Sequence, residues 1–128
     1  MSRLVPVALY ALAAIVAGAA MVGPGSGQPR QEARDRGLAR AAVARIAAAE
    51  QEGAAKSGHY VPFGPDATER RVALPGIALD AAAEAAFRFD AALDRKGALR
   101  INAVSRAEAV RAGRVEPLLE TADLPPKP

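Results

Sequence analysis

The stretch from Leu4 to Val22 carries no charged side chain and follows a single basic residue, Arg3. An Ala, Leu, Val and Ile run of that length suits a hydrocarbon core of about 30 Å, at 1.5 Å of rise per helical residue. It therefore sets location before it sets fold. Two readings of it stand side by side, and both export the remainder of the chain. As a signal peptide it has a basic n-region, an apolar h-region to about Val16, and Ala17 and Ala19 in an A-x-A cleavage pattern. As an anchor over residues 1–22 it has the length, with Pro6 and Gly18 weakening the helix. The amine and Arg3 favour a cytoplasmic N-terminus, which gives a single pass through the inner membrane with a periplasmic domain, or secretion to the periplasm.

Beyond that run lies enough chain for one small domain. With three Phe, two Tyr and no Trp, the hydrophobic share of 51% is mostly Ala, so the core has to be thin. There is no Cys, which excludes disulfides, thiolate metal sites and lipidated cysteine. The net charge of +3 comes from scattered Arg interleaved with acids, the pattern of a solvated surface and not of a nucleic-acid patch. The expected environment is the membrane, with protein partners or self-association through the helix, and no nucleic acid.

Residues 23–30, with Gly23, Pro24, Gly25, Gly27 and Pro29, read as a flexible linker. From Gln31 to Ala55 the spacing predicts a long amphipathic helix. Leu38, Ala42, Ile46, Ala49 and Gly53 form one stripe, Arg36, Arg40, Arg45 and Glu52 stay in water, and Gly58 ends the segment. Tyr60 to Gly76 is broken by Pro and Gly and reads as loop, while Asp80 to Ala86 offers a turn or two of helix or leads straight into strand. Phe87 to Ala91 and Leu99 to Ala103 alternate apolar and polar around Asp94-Arg95-Lys96-Gly97. They predict an antiparallel hairpin with Phe87, Phe89, Leu99 and Ile101 facing the helix stripe. Ser105 to Glu108 has the spacing of a capping box, with Gly113 as its stop. Arg114-Val115-Glu116 offers a third strand ahead of Pro117, and residues 120–128 form an extended tail.

No catalytic set emerges. His59 is the sole histidine, which with no Cys leaves no familiar zinc ligand set and reads as a surface or loop-packing residue. Lys56-Ser57 lacks the glycines of a phosphate loop. Glu50 with Glu52, and Asp90 with Asp94, read as ordinary solvated acids. Ser105 is explained as a cap. Neither catalytic, cofactor-binding nor metal residues are assigned. Ala14 and Gly18, four apart, would let two anchor helices approach closely.

The order of elements resembles the type IV pilins and pseudopilins: an apolar segment, an Ala-rich helix, Ala49-Glu50-Gln51-Glu52 leading to Lys56-Ser57-Gly58-His59-Tyr60, an irregular stretch, then strands. The resemblance implies an α+β domain over residues 31–119, in which a long helix packs on a small antiparallel sheet. It further implies a non-enzymatic structural or assembly role. In that family a basic leader, a Gly processing site, an aromatic residue and a Glu early in the mature chain mark maturation. Met1 to Val22 reproduces none of these, so no residue is assigned to processing or assembly. The alternative is a soluble periplasmic binding or accessory module released by signal peptidase.

Overall fold

The structure, a computed structural model, describes residues 29–127. The expected apolar helix over 1–22 and most of the 23–30 linker lie outside the described residues. Helix α1 runs Pro29–Ser57. Pro29 stands at its first residue, where a missing backbone N–H costs nothing. The helix thus begins inside the span read as linker. Gly58 ends it with φ of 92°, and its N–H returns to the Ala54 carbonyl at 2.7 Å. A left-handed residue at that point suits glycine alone among the neighbours, as the sequence anticipates.

Two short helices follow. Helix α2 is Ala67–Ala73, capped by Asp66, whose Oδ1 accepts from the Thr68 N–H at 2.9 Å. It occupies part of the stretch read as loop, where Pro65 and Gly76 on either side mask so short a segment. Helix α3 is Ala81–Ala86, capped in the same way by Asp80, and runs directly into strand β1, Phe87–Leu93. Strand β2 is Leu99–Ser105. The two pair antiparallel, as predicted, with Phe89 opposite Ala103 and Ala91 opposite Ile101. Asp94 closes the turn by accepting from the Lys96 and Ala98 N–H groups, and Gly97 supplies a φ of 89°.

Helix α4, Ala107–Arg111, begins after Arg106 with no side-chain cap. The expected capping box is therefore corrected. Ser105 remains in β2, and its hydroxyl donates to the Glu116 carbonyl and accepts from the Leu118 N–H. Gly113, with φ of 73°, follows the helix as expected. The third strand, β3, is Leu119–Leu124 and pairs antiparallel with β2, giving the order β1-β2-β3. It is neither at Arg114-Val115-Glu116 nor part of a tail, and the terminal segment without regular structure starts at Pro125. Pro117 and Pro125 bracket a strand whose inward positions are Glu120, Ala122 and Leu124. The inward glutamate hides the apolar alternation.

The fold is α+β, a long helix against a three-stranded antiparallel sheet. Phe87, Phe89, Leu99, Ile101, Ala103, Ala122 and Leu124 face Ala39, Ala42, Val43, Ile46 and Ala47 of α1, all buried. The helix stripe is rotated by about one residue from the expected one, because Leu38 and Ala49 are only partly buried while Arg36 and Glu50 are drawn inside. Arg36 therefore leaves the expected solvated set, and Arg40 is partly covered beside it. Arg45 and Glu52 stay exposed. The covering surface for α1's apolar face is the chain's own sheet.

Candidate functional site

The one strongly perturbed acid among the described residues lies at the C-terminal end of α1. Glu50 follows Ile46 by four residues and precedes Ala54 by four, so it occupies the core stripe and is 1% exposed. The Gly58 turn then folds the chain back across it. Glu50 Oε1 accepts from the Val61 N–H at 2.8 Å, while Oε2 is buried without a hydrogen-bond partner. Burial pushes the carboxyl from its ordinary 4.5 up to about 7, against the opposing pull of the Val61 N–H. Beside it, Tyr60 is buried with its hydroxyl donating to the Pro125 carbonyl at 2.7 Å. Its phenol is pushed up first by burial and second by the charge of Glu50.

The other buried acids are committed elsewhere. Glu120, on β3, accepts from Arg36 at 2.5 Å and from Arg40 at 3.3 Å, and Arg36 also meets Glu32 at 3.3 Å. Asp35 holds the Glu116 N–H at 3.0 Å, fastening the segment after α4 to α1. On the opposite flank Arg70 of α2 is ion-paired with Glu84 of α3 and lies 5.6 Å from the Phe89 ring centroid. Apart from Arg36–Glu32, which lies within α1, these contacts join separate elements of the fold, and none needs a ligand to explain it.

The acids and nucleophiles weighed from sequence do not converge. Glu50 is buried and Glu52 is exposed 4.0 Å from Lys56, so they share no site. Asp90 accepts from Asn102 at 3.0 Å, and Asp94 closes its own turn. His59 is exposed, its carbonyl accepting from the Ser57 hydroxyl at 3.1 Å. Ser105 is spent on the Glu116–Leu118 segment. Among the described residues no group of three or more His, Asp or Glu could hold a metal, and no helix is long and apolar enough to cross a membrane.

Sequence reasoning takes Glu50 for a solvated acid, and the structure corrects this. The signal that finds it is positional: a lone glutamate between Ile46 and Ala54 on the apolar stripe, four residues either way. A carboxyl that titrates at about 7, with no nucleophile or second acid against it, can take up or release a proton near neutrality.

Outside the core, α1 presents a second face. Arg34, Gly37, Ala41, Arg45, Ala48, Glu52 and Ala55 are exposed at spacings of three and four. A groove of about 590 Å³ opens beside its C-terminal half, floored by Ala48, Ala49 and Gly53 and walled by Leu74 and Ile77. Comparison of the chain with protein families, with curated proteins and with solved structures yields no match.

Proposed function

We propose that the chain is a non-enzymatic, exported structural or assembly component resembling a pilin or pseudopilin, held at the membrane by the uncharged run Leu4 to Val22. The observation that carries this reading is the division of labour along α1. Its inner face is spent on the sheet, through Ala39, Val43, Ile46 and Ala47, while its outer face is a row of small residues and Arg left in solvent. Gly37, Ala41 and Ala48 leave the far side of the helix low, with Arg34, Arg45 and Glu52 standing above it. Small side chains there let a second helix approach closely, because backbone-to-backbone distance is set by the residues between. The helix end at Glu50 to Tyr60, followed by the 58–86 stretch and the meander, supports the same resemblance.

The A-x-A pattern at Ala17 and Ala19 favours the second reading, a soluble periplasmic binding or accessory module. Mass spectrometry of the mature N-terminus separates them. A chain starting at Met1 or Ser2 in the membrane fraction supports the anchored component. One starting at or near Ala20 in the soluble fraction overturns it in favour of the released module.

A further inference from the structure

We propose that Glu50 is a proton-operated latch between the end of α1 and the loop beyond it, closed when the carboxyl carries a proton and loosened when it is ionised. The latch works in the same way whether or not the protein assembles.

The geometry has three parts. First, Glu50 is 1% exposed and bonds one neutral donor, the Val61 N–H at 2.8 Å, leaving Oε2 buried without a partner. An ionised carboxylate has about four lone-pair sites and seeks several donors, so a single amide in a dry site suits the neutral acid. Second, no cation among the described residues compensates it. Among the described residues Glu50 has no ion pair, and the titratable group facing it from the loop is Tyr60, itself neutral and bonded to Pro125. The covered cations of the elements around α1 are engaged: Arg36 and Arg40 with Glu120, and Arg70 with Glu84. Lys56 lies out on the exposed face beside Glu52, and Arg45 is exposed as well. Third, the segment that Glu50 holds reaches two other places. Phe63 exchanges both backbone hydrogen bonds with Ala91 on the edge of β1, at 3.0 and 2.9 Å, and Tyr60 ties the segment after β3 at Pro125. One carboxyl therefore sets the docking of the loop, a sheet-edge bridge and the terminal segment together.

The burial that favours the neutral acid places its titration at about 7, so the latch works across neutrality. Opening exposes Glu50 to water and lets it ionise at its ordinary value, which drives the open state as pH rises. Gly58, at a φ of 92°, and Gly64 flank the segment, so its release gives up the Phe63–Ala91 bridge and leaves α1 and the β1–β2 pairing in place.

The test is amide hydrogen exchange of the full chain in detergent micelles from about pH 5.5 to 8.5, normalised to intrinsic exchange rates, for the wild type and Glu50→Gln. The expected result is that protection at Val61 and Phe63 falls at least about tenfold across the range in the wild type and stays level in the variant. Ile101 and Ala103 in β2 should hold constant in both. Parallel profiles in the two proteins overturn the proposal. Should the variant fail to fold, the carboxyl carbon of Glu50 in the wild type is titrated by NMR: a midpoint above about 6 supports the latch, and one near the ordinary value of 4.5 overturns it.

Discussion

Arg36 on α1 and Glu120 on β3 meet at 2.5 Å inside the protein, 84 residues apart, where the helix crosses the last strand of the sheet. The pair fastens the start of β3 to α1, while Ala122 and Leu124 of the same strand enter the core and the ladder with β2 sets its register. Removing Glu120 leaves Arg36 with Glu32 alone and takes the acid from Arg40, and breaking such a buried pair costs up to about 3–5 kcal/mol. Glu120→Ala should therefore destabilise the domain far more than the double variant Arg36→Met with Glu120→Leu, which removes both charges and keeps the volume. Urea unfolding followed by circular dichroism checks this, and equal losses in the single and double variants would contradict it. Arg40, 3.3 Å from Glu120, softens the contrast without reversing it.

Glu50 gives the stability a defined pH dependence. Its native value of about 7 lies above the ordinary 4.5, so the folded state binds the proton more tightly than the unfolded chain. The favourable contribution is complete below about pH 4.5 and is lost as pH rises through about 7. At ~1.4 kcal/mol per pH unit the gap corresponds to about 3 kcal/mol. Glu50→Gln should flatten this part of the curve, read as the denaturation midpoint at successive pH values. A wild type whose stability rises from about pH 5 to 7 in step with the variant would refute the assignment.

Phe89 and Ile46 are buried completely, one from the sheet and one from the helix. Their substitution by Asp should unfold the domain, because each side chain is already covered by its own chain. Phe89→Ala alone should cost about 3–5 kcal/mol. The ring packs beside Phe87 at 6.4 Å and under Arg70. Limited proteolysis reads the effect directly. A protease-resistant Ile46→Asp chain would show that the helix face is not core.

Ser105→Ala removes the donor to the Glu116 carbonyl and the acceptor of the Leu118 N–H, both held by one hydroxyl. The loss should be about 1–3 kcal/mol, the usual cost of a buried polar group left unpaired. A cap role would predict a smaller change confined to α4, which amide exchange at Ala109 and Val110 distinguishes.

The hairpin Phe87 to Ser105 is legible in the sequence because its inward residues are apolar without exception until Ser105, and its turn carries Asp94 and Gly97 in the places a tight loop needs. Gly58 marks the end of α1 for the same reason, a local backbone demand that few residues meet. The third strand is hidden. Its inward set begins with Glu120, whose partner Arg36 lies far away in sequence, so period alone reads Glu120 to Asp123 as polar tail. The helix stripe is displaced by the same physics, since Arg36 and Glu50 are polar residues at core positions and their burial is decided by tertiary contacts. Helix α2 escapes notice because Asp66 is its cap and the prolines around it speak only for loop. The perturbed acid is thus the residue that pattern reading places in water.

Helix α1 has one face packed on the sheet and one left in solvent, and the proposed assembly role requires a second copy of the chain to pack on the solvent face. The chain has no Cys of its own, so a single cysteine at Ala48, exposed on the outer stripe, reports proximity without background. Mild oxidation of membranes carrying Ala48→Cys should give disulfide-linked dimers in the membrane fraction, with Ala112→Cys, exposed at the end of α4, as the non-linking control. An Ala48→Cys chain that stays wholly monomeric under oxidation, or that is recovered only in the soluble fraction, would contradict the claim.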